Sequence, residues 1–105
     1  MLTAERASIF AALGDATRLS LLTRLNDGQD HPINRLTATA PLSRQAVTKH
    51  LHVLEQAGLV QSRRAGRETL YRLRPGTLSA ARDYLIEISR QWDAALGRLR
   101  DFVER

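Results

Sequence analysis

Gln45, Thr48, Lys49 and His52 stand at i, i+3, i+4 and i+7, the spacing that brings side chains onto one face of a helix, and each of them can donate a hydrogen bond. Val47, Leu51 and Leu54 form an apolar stripe on another face of the same segment, so burying that stripe turns the four donors outward. Arg63, Arg64 and Arg67 follow, clustered around Gly66, and present guanidinium forks suited to phosphate or carboxylate oxygens. This chemistry is recognition rather than reaction. The chain has no cysteine, which removes disulfides, thiolate metal sites and thiol nucleophiles together. A Thr48 nucleophile would need a histidine base, and His50 and His52 share its helix at spacings that form no triad, so no enzyme is expected. Asp27, Asp30 and His31 lie close together and could hold a divalent ion, although polar loop chemistry is the simpler reading.

The charge is concentrated where those residues are. Residues 43 to 74 hold seven of the sixteen basic residues (Arg44, Lys49, Arg63, Arg64, Arg67, Arg72, Arg74) and two of the eleven acids (Glu55, Glu68), a net +5. The whole chain is also +5, so the remainder is neutral and the natural partner of this one segment is a polyanion. Fifteen of the sixteen basic residues are arginine, which the base composition of the genome explains as readily as a need for forked donors.

Short-range signals place the elements that carry these residues. Leu2, Arg6, Ile9, Phe10 and Leu13 have helical spacing; Gly14 stops that helix and Asp15 caps the next, whose stripe is Leu19, Leu22 and Leu25 with Leu21 beside it. After Asn26-Asp27-Gly28 and a loop, Pro32 is expected to open a short third helix with Ile33, Leu36 and Ala40, ending before Pro41. Ser43 caps the fourth helix, about 43–57, with Leu42 placed to staple onto Val47. His50, beside Leu51 and Leu54, is expected at the edge of the core with its ring hydrogen-bonded. Residues 59–64 and 68–73 read as strands joined by Ala65-Gly66-Arg67, a hairpin with a basic tip. Pro75-Gly76 breaks it, and Thr77 is placed to cap a last helix over about 77–103.

That last helix repeats Leu78, Ala81, Leu85, Ile88, Trp92, Ala95, Leu99 and Phe102 at alternating spacings of three and four, the seam of a helix packed on a helix. About 25 residues at ~1.5 Å each give a rod of roughly 38 Å, longer than a small domain needs, so part of the seam should face a second subunit. Gly97, within it, costs about 1 kcal/mol relative to alanine and leaves room for a close neighbour. Trp92 is expected on the apolar seam, although with Tyr84 it could line a dimer cleft for an apolar effector. In a single 105-residue domain the fold expected is mostly α with a β-hairpin wing and five helices.

Helix, turn, helix and hairpin, with a Ser-capped second helix presenting Gln, Thr, Lys and His, is the layout of a winged helix-turn-helix reader of double-stranded DNA. The major groove, about 12 Å wide, admits one α-helix. The stretch LSRQAVTKHLHVLEQAGLVQSRRAGRETLYRL, after DATRLSLLTRL and before a long amphipathic helix, resembles the ArsR family of small dimeric transcriptional repressors. The resemblance implies a homodimer joined through first and last helices, with Leu2, Ile9, Leu85, Ile88, Trp92, Leu99 and Phe102 at the interface. It also implies a recognition helix with Ser43 and Arg44 on phosphate and Gln45, Thr48, Lys49 and His52 toward the bases, and a wing at about 59–73 with Arg63, Arg64 and Arg67 on the backbone. Metal-responsive members of that family carry a Cys-x-Cys pair where this chain has Pro32, Ile33 and Asn34, and others use Asp and His on the last helix, which here has no histidine. No metal or other cofactor is therefore expected, and the inducer is left open, an unknown small-molecule effector among the alternatives. No apolar run approaches the ~20 residues of a membrane span and no secretion signal opens the chain, so a cytoplasmic location is expected. The rival reading is a winged-helix module for protein interaction, without sequence-specific DNA binding, in which the long helix is the contact surface.

Overall fold

The computed structural model describes residues 3–38 and 42–105; Leu2, Ala40 and Pro41 lie outside them. The order is α1 (Thr3–Leu13), α2 (Ala16–Arg24), β1 (His31–Pro32), α3 (Ile33–Ala38), α4 (Arg44–Gln56), β2 (Val60–Ala65), β3 (Glu68–Leu73) and α5 (Pro75–Glu104). The five helices and the hairpin are those the sequence predicts.

The α1/α2 corner is closed from both sides. Asp15 caps α2 by accepting the amide of Arg18 at 3.0 Å. Arg18 reaches back to donate to the carbonyls of Ala12 (2.6 Å) and Ala11 (3.3 Å), satisfying the end of α1. Arg24 repeats the device, donating to Leu36 (2.7 Å) and Arg35 (2.8 Å) near the end of α3. These cations at helix C-termini are held where the helix dipole favours them. Inside, Leu21, Leu22, Leu25, Ile33, Leu36, Val47, Leu51, Leu54, Leu59 and Val60 make one core that Ile9, Ala12, Tyr71 and Ala81 extend. Leu19, placed by its spacing on the stripe of α2, is instead exposed, because Leu21, Leu22 and Leu25 fill that side.

At the far end of α4 the chain turns through a Schellman motif. Gly58 adopts φ +78°, its amide donates to Glu55 at 2.9 Å, and Leu59 donates to Leu54 at 2.9 Å, with both leucines fully buried. This reversal sends β2 back alongside α4. Glu55 then accepts from the amide and hydroxyl of Ser62, fixing the base of the hairpin to the helix. Gly66 (φ +63°) and Arg67, whose φ is not positive, make a two-residue turn of type II′ closed by the pair Ala65↔Glu68.

Four expectations change. Pro32 does not open α3: with His31 it forms β1, which pairs antiparallel to β3 (His31↔Tyr71, Pro32↔Leu70), giving a sheet in the order β1-β3-β2. An edge strand tolerates proline because its outer side needs no donor. Pro75 does not merely break the hairpin but begins α5 at its first turn, where a missing amide costs nothing. Thr77 caps nothing; its hydroxyl donates to the Gly58 carbonyl and ties the start of α5 to the end of α4. The staple is absent too, since Leu42 stays exposed over a buried Val47.

Only the first half of α5 lies against the body. The radius of gyration is 18.2 Å and the long axis 68 Å, against roughly 13 Å expected for the radius of a compact chain of this length. The excess is the projecting second half of a helix about 45 Å long.

Candidate nucleic-acid interface

Ser43 caps α4 by accepting the amide of Ala46 at 3.2 Å, which fixes where the helix starts and which way its first turn faces. Val47, Leu51 and Leu54 anchor the opposite side without residual exposure. In consequence Ser43, Arg44, Gln45, Thr48, Lys49 and His52 are all exposed along one outward ridge. Arg44, Gln45, Thr48 and Lys49 line a shallow depression at the N-terminal half of the helix. One of the four expected donors is spent: the Thr48 hydroxyl donates to the Arg44 carbonyl at 2.7 Å, so Thr48 offers outward a methyl group and an acceptor.

His50 sits at the edge of the core as expected. Arginine can only donate, so the 3.2 Å contact from Arg18 Nη1 makes His50 Nδ1 an acceptor, with Asp15 Oδ2 3.7 Å away. The contact joins α2 to the ridge-bearing helix. Asp15, through the amide of Arg18 first and then the Arg18 charge, has its carboxyl held below the ordinary aspartate value.

The wing divides into two sets of arginines. Arg64 and Arg67 stand exposed near the hairpin tip, and among the described residues no ion pair engages either of them, nor Arg44 or Lys49. Arg63 has a partner within the protein. Its guanidinium turns to Asp30, with Nη2 at 2.7 Å and Nε at 3.3 Å from Oδ2, while Arg72 Nε lies 3.2 Å from Oδ1. The Arg63 hydrogen bond, then the two positive charges, hold the Asp30 carboxyl below its usual range. The loop trio is thereby divided: His31 Nε2 bonds the Asp27 carboxylate at 2.9 Å, and Asp30 belongs to the wing. Asp27 is likewise held down, by the Gln29 amide first and the His31 contact second.

Along α5, Leu85, Trp92, Leu99 and Phe102 are exposed, Trp92 at 65% and Phe102 at 75%, and Ile88 is half-buried. Ile86, Leu96 and Val103, outside the strict seam, add to the same apolar surface. An apolar groove of about 400 Å³ between α1 and α5, lined chiefly by Phe10, Leu13, Leu78, Leu85 and Ile86, leads into it. Ile9 is a correction: at 3% exposure it belongs to the protomer's own core and presents nothing to a partner. Leu2 lies outside the described residues. Tyr84 packs against Phe10, ring centres 5.8 Å apart, under the Arg6 guanidinium 4.6 Å from its centre, which ties it to α1 within the protomer. Open space surrounds Gly97.

Residues 3–63, from α1 into the wing, match the family model of a helix-turn-helix domain. The HTH-type transcriptional regulator Rv2034 of Mycobacterium tuberculosis is 40% identical over 85 residues, covering 81% of this chain and 76% of the relative. CmtR, an HTH-type transcriptional regulator of the same species, is 38% identical over 93 residues, covering 84% and 78%. Among solved structures, an ArsR-like transcriptional regulator from Rhodococcus sp. RHA1 superposes with a TM-score of 0.83 at 40% identity, over 94% of this chain and 92% of that one. Likeness of this extent, on a fold that turns the polar ridge of α4 outward beside a basic hairpin, identifies a DNA-binding transcriptional regulator: the chain belongs to the ArsR family of winged helix-turn-helix proteins.

Proposed function

We propose that the protein is a homodimeric repressor that binds a palindromic operator, laying α4 in the major groove and setting Arg64 and Arg67 of the wing on the adjacent backbone. The observation that carries the reading is the outward ridge of α4. Its apolar side is fully buried, its N-terminal cap is formed, and Gln45, Lys49 and His52 project outward along one face of the helix. Gln45 suits the paired donor and acceptor of adenine, and Lys49 the acceptors of guanine. Ser43 and Arg44, at the helix start, suit phosphate.

The exposed apolar face of α5 supports pairing of two copies, since a monomer gains nothing from a helix that leaves its body with Trp92, Leu99 and Phe102 in water. A two-fold through that helix pair sets two α4 ridges about one helical turn apart, roughly 34 Å, on an imperfect palindrome. Any ligand that alters how the two α5 helices cross alters that distance, which is a physical route to induction. We read the regulator as working without a resident metal, because positions 32–34 are Pro, Ile and Asn, the chain lacks cysteine, and α5 lacks histidine. Its place of action is the cytoplasm; among the described residues no helix is long and apolar enough to cross a membrane.

Gln45→Ala tests the ridge. It is expected to cost about 1–3 kcal/mol on operator DNA selected from the genome while leaving affinity for random duplexes near the parent's. Equal losses on both kinds of DNA, measured by fluorescence anisotropy at one salt concentration, contradict the assignment of Gln45 to a base.

A further inference from the structure

We propose that Asp30 is a brake on the wing: its carboxylate holds Arg63 and Arg72 and withholds them from DNA phosphate, setting affinity below what the charge of this face allows. The inference rests on the DNA-binding reading above and adds to it a residue outside the ridge and the wing.

The geometry assigns one carboxylate oxygen to each strand of the hairpin, Oδ2 to Arg63 on β2 and Oδ1 to Arg72 on β3. The register explains the meeting. Arg63 is paired with Leu70 and Arg72 with Gln61, so the two arginines lie two positions apart on one face of the sheet. His31 is paired with Tyr71, which brings the residue before it level with Arg72. Asp30 is only 22% exposed at its side chain and is held at the start of β1, whereas Arg63 remains 61% exposed. A phosphate can therefore approach the open side of the Arg63 guanidinium, but binding it there means competing with a carboxylate already in place at 2.7 Å. Arg64 and Arg67 have no such competitor among the described residues. Of the three wing cations expected from sequence, two are poised for phosphate and one is held back.

Asp30 is not what keeps the hairpin together. Six residue pairs join β2 to β3, two join β1 to β3, and Ser62 is tied to Glu55, all without it. Asp30→Asn thus keeps the shape of the loop and removes the charge. Titrated against a labelled random duplex of about 30 base pairs, enough for two half-sites, D30N is expected to bind about 3- to 10-fold tighter than the parent near 0.1 M salt. Its plot of log affinity against log salt should be steeper by about one to two for each wing, as Arg63 and Arg72 each gain a phosphate. In an Arg63→Ala background the gain from D30N should fall by at least half, which separates release of Arg63 from a general change of field. A D30N protein that binds no tighter, or gains as much without Arg63, overturns the proposal.

Should D30N fold poorly, single substitutions in the parent decide: Arg63→Ala is expected to leave the salt slope unchanged and Arg64→Ala to flatten it by about one per wing. Equal flattening by the two overturns the brake. A parent that binds no duplex at any salt overturns this proposal and the DNA-binding reading together; a parent that binds while D30N is no tighter overturns this proposal alone.

Discussion

Trp92→Glu combined with Leu99→Glu is expected to convert the protein to monomers and to weaken operator binding by about 100- to 10,000-fold, the range by which joining two binding modules raises affinity. Both side chains are more than half exposed in the protomer and touch none of its core, so the substitutions leave the fold of each copy intact. In the proposed pair they lie on the shared seam, where each new carboxylate is expected to lose its water against apolar neighbours and, across the two-fold, to face others of its own sign. Burying an unpaired charge costs several kcal/mol. Sedimentation equilibrium reads the dissociation, and circular dichroism confirms that the helices persist. A variant that stays dimeric and binds like the parent contradicts the assignment of this face.

The second large effect is expected at the tip of the wing. Arg64→Ala with Arg67→Ala should weaken binding to every duplex, operator and random alike, on the order of 100-fold at moderate salt, and flatten the salt dependence by about two for each wing. The magnitude follows from the environment of these two cations: both are exposed, no ion pair among the described residues occupies them, and they stand at the end of β2 and in the turn that follows it. Each therefore releases counterions on meeting a phosphate instead of exchanging one protein partner for another. The discrimination between operator and random DNA should survive, because backbone contacts carry no base identity. If discrimination falls along with affinity, the wing reads sequence and the division of labour between α4 and the hairpin is wrong.

What the sequence makes legible here is short-range chemistry. Asp15 and Ser43 cap helices through residues three positions on, Gly58 and Gly66 reverse the chain within a few residues, and the ridge of α4 follows from its own apolar stripe. What it hides depends on residues far apart. β1 has only two residues and exists because Tyr71 and Leu70 lie beside it; read alone, Pro32 resembles a helix start. Arg63 and Arg64 are neighbours in a basic run, yet their side chains point to opposite faces of the sheet, and only one face carries Asp30, 33 residues earlier in the chain. Ile9 shares the period of an interface residue, but the direction of α1 turns it inward. On α5 the strict spacing of three and four marks the seam, while Ala81 and Leu78 show which part of it the body covers; Leu96 and Val103 lie near the same face but beyond the body, and stay exposed.

The central claim is that two copies of this chain place two α4 helices on one face of a duplex. Hydroxyl-radical footprinting of the parent on a duplex selected from bound genomic fragments tests it most directly. Two protected tracts are expected, related by a two-fold and centred one helical turn, about 34 Å, apart. One tract occupied by a single protomer, or even protection with no fixed boundary, contradicts it.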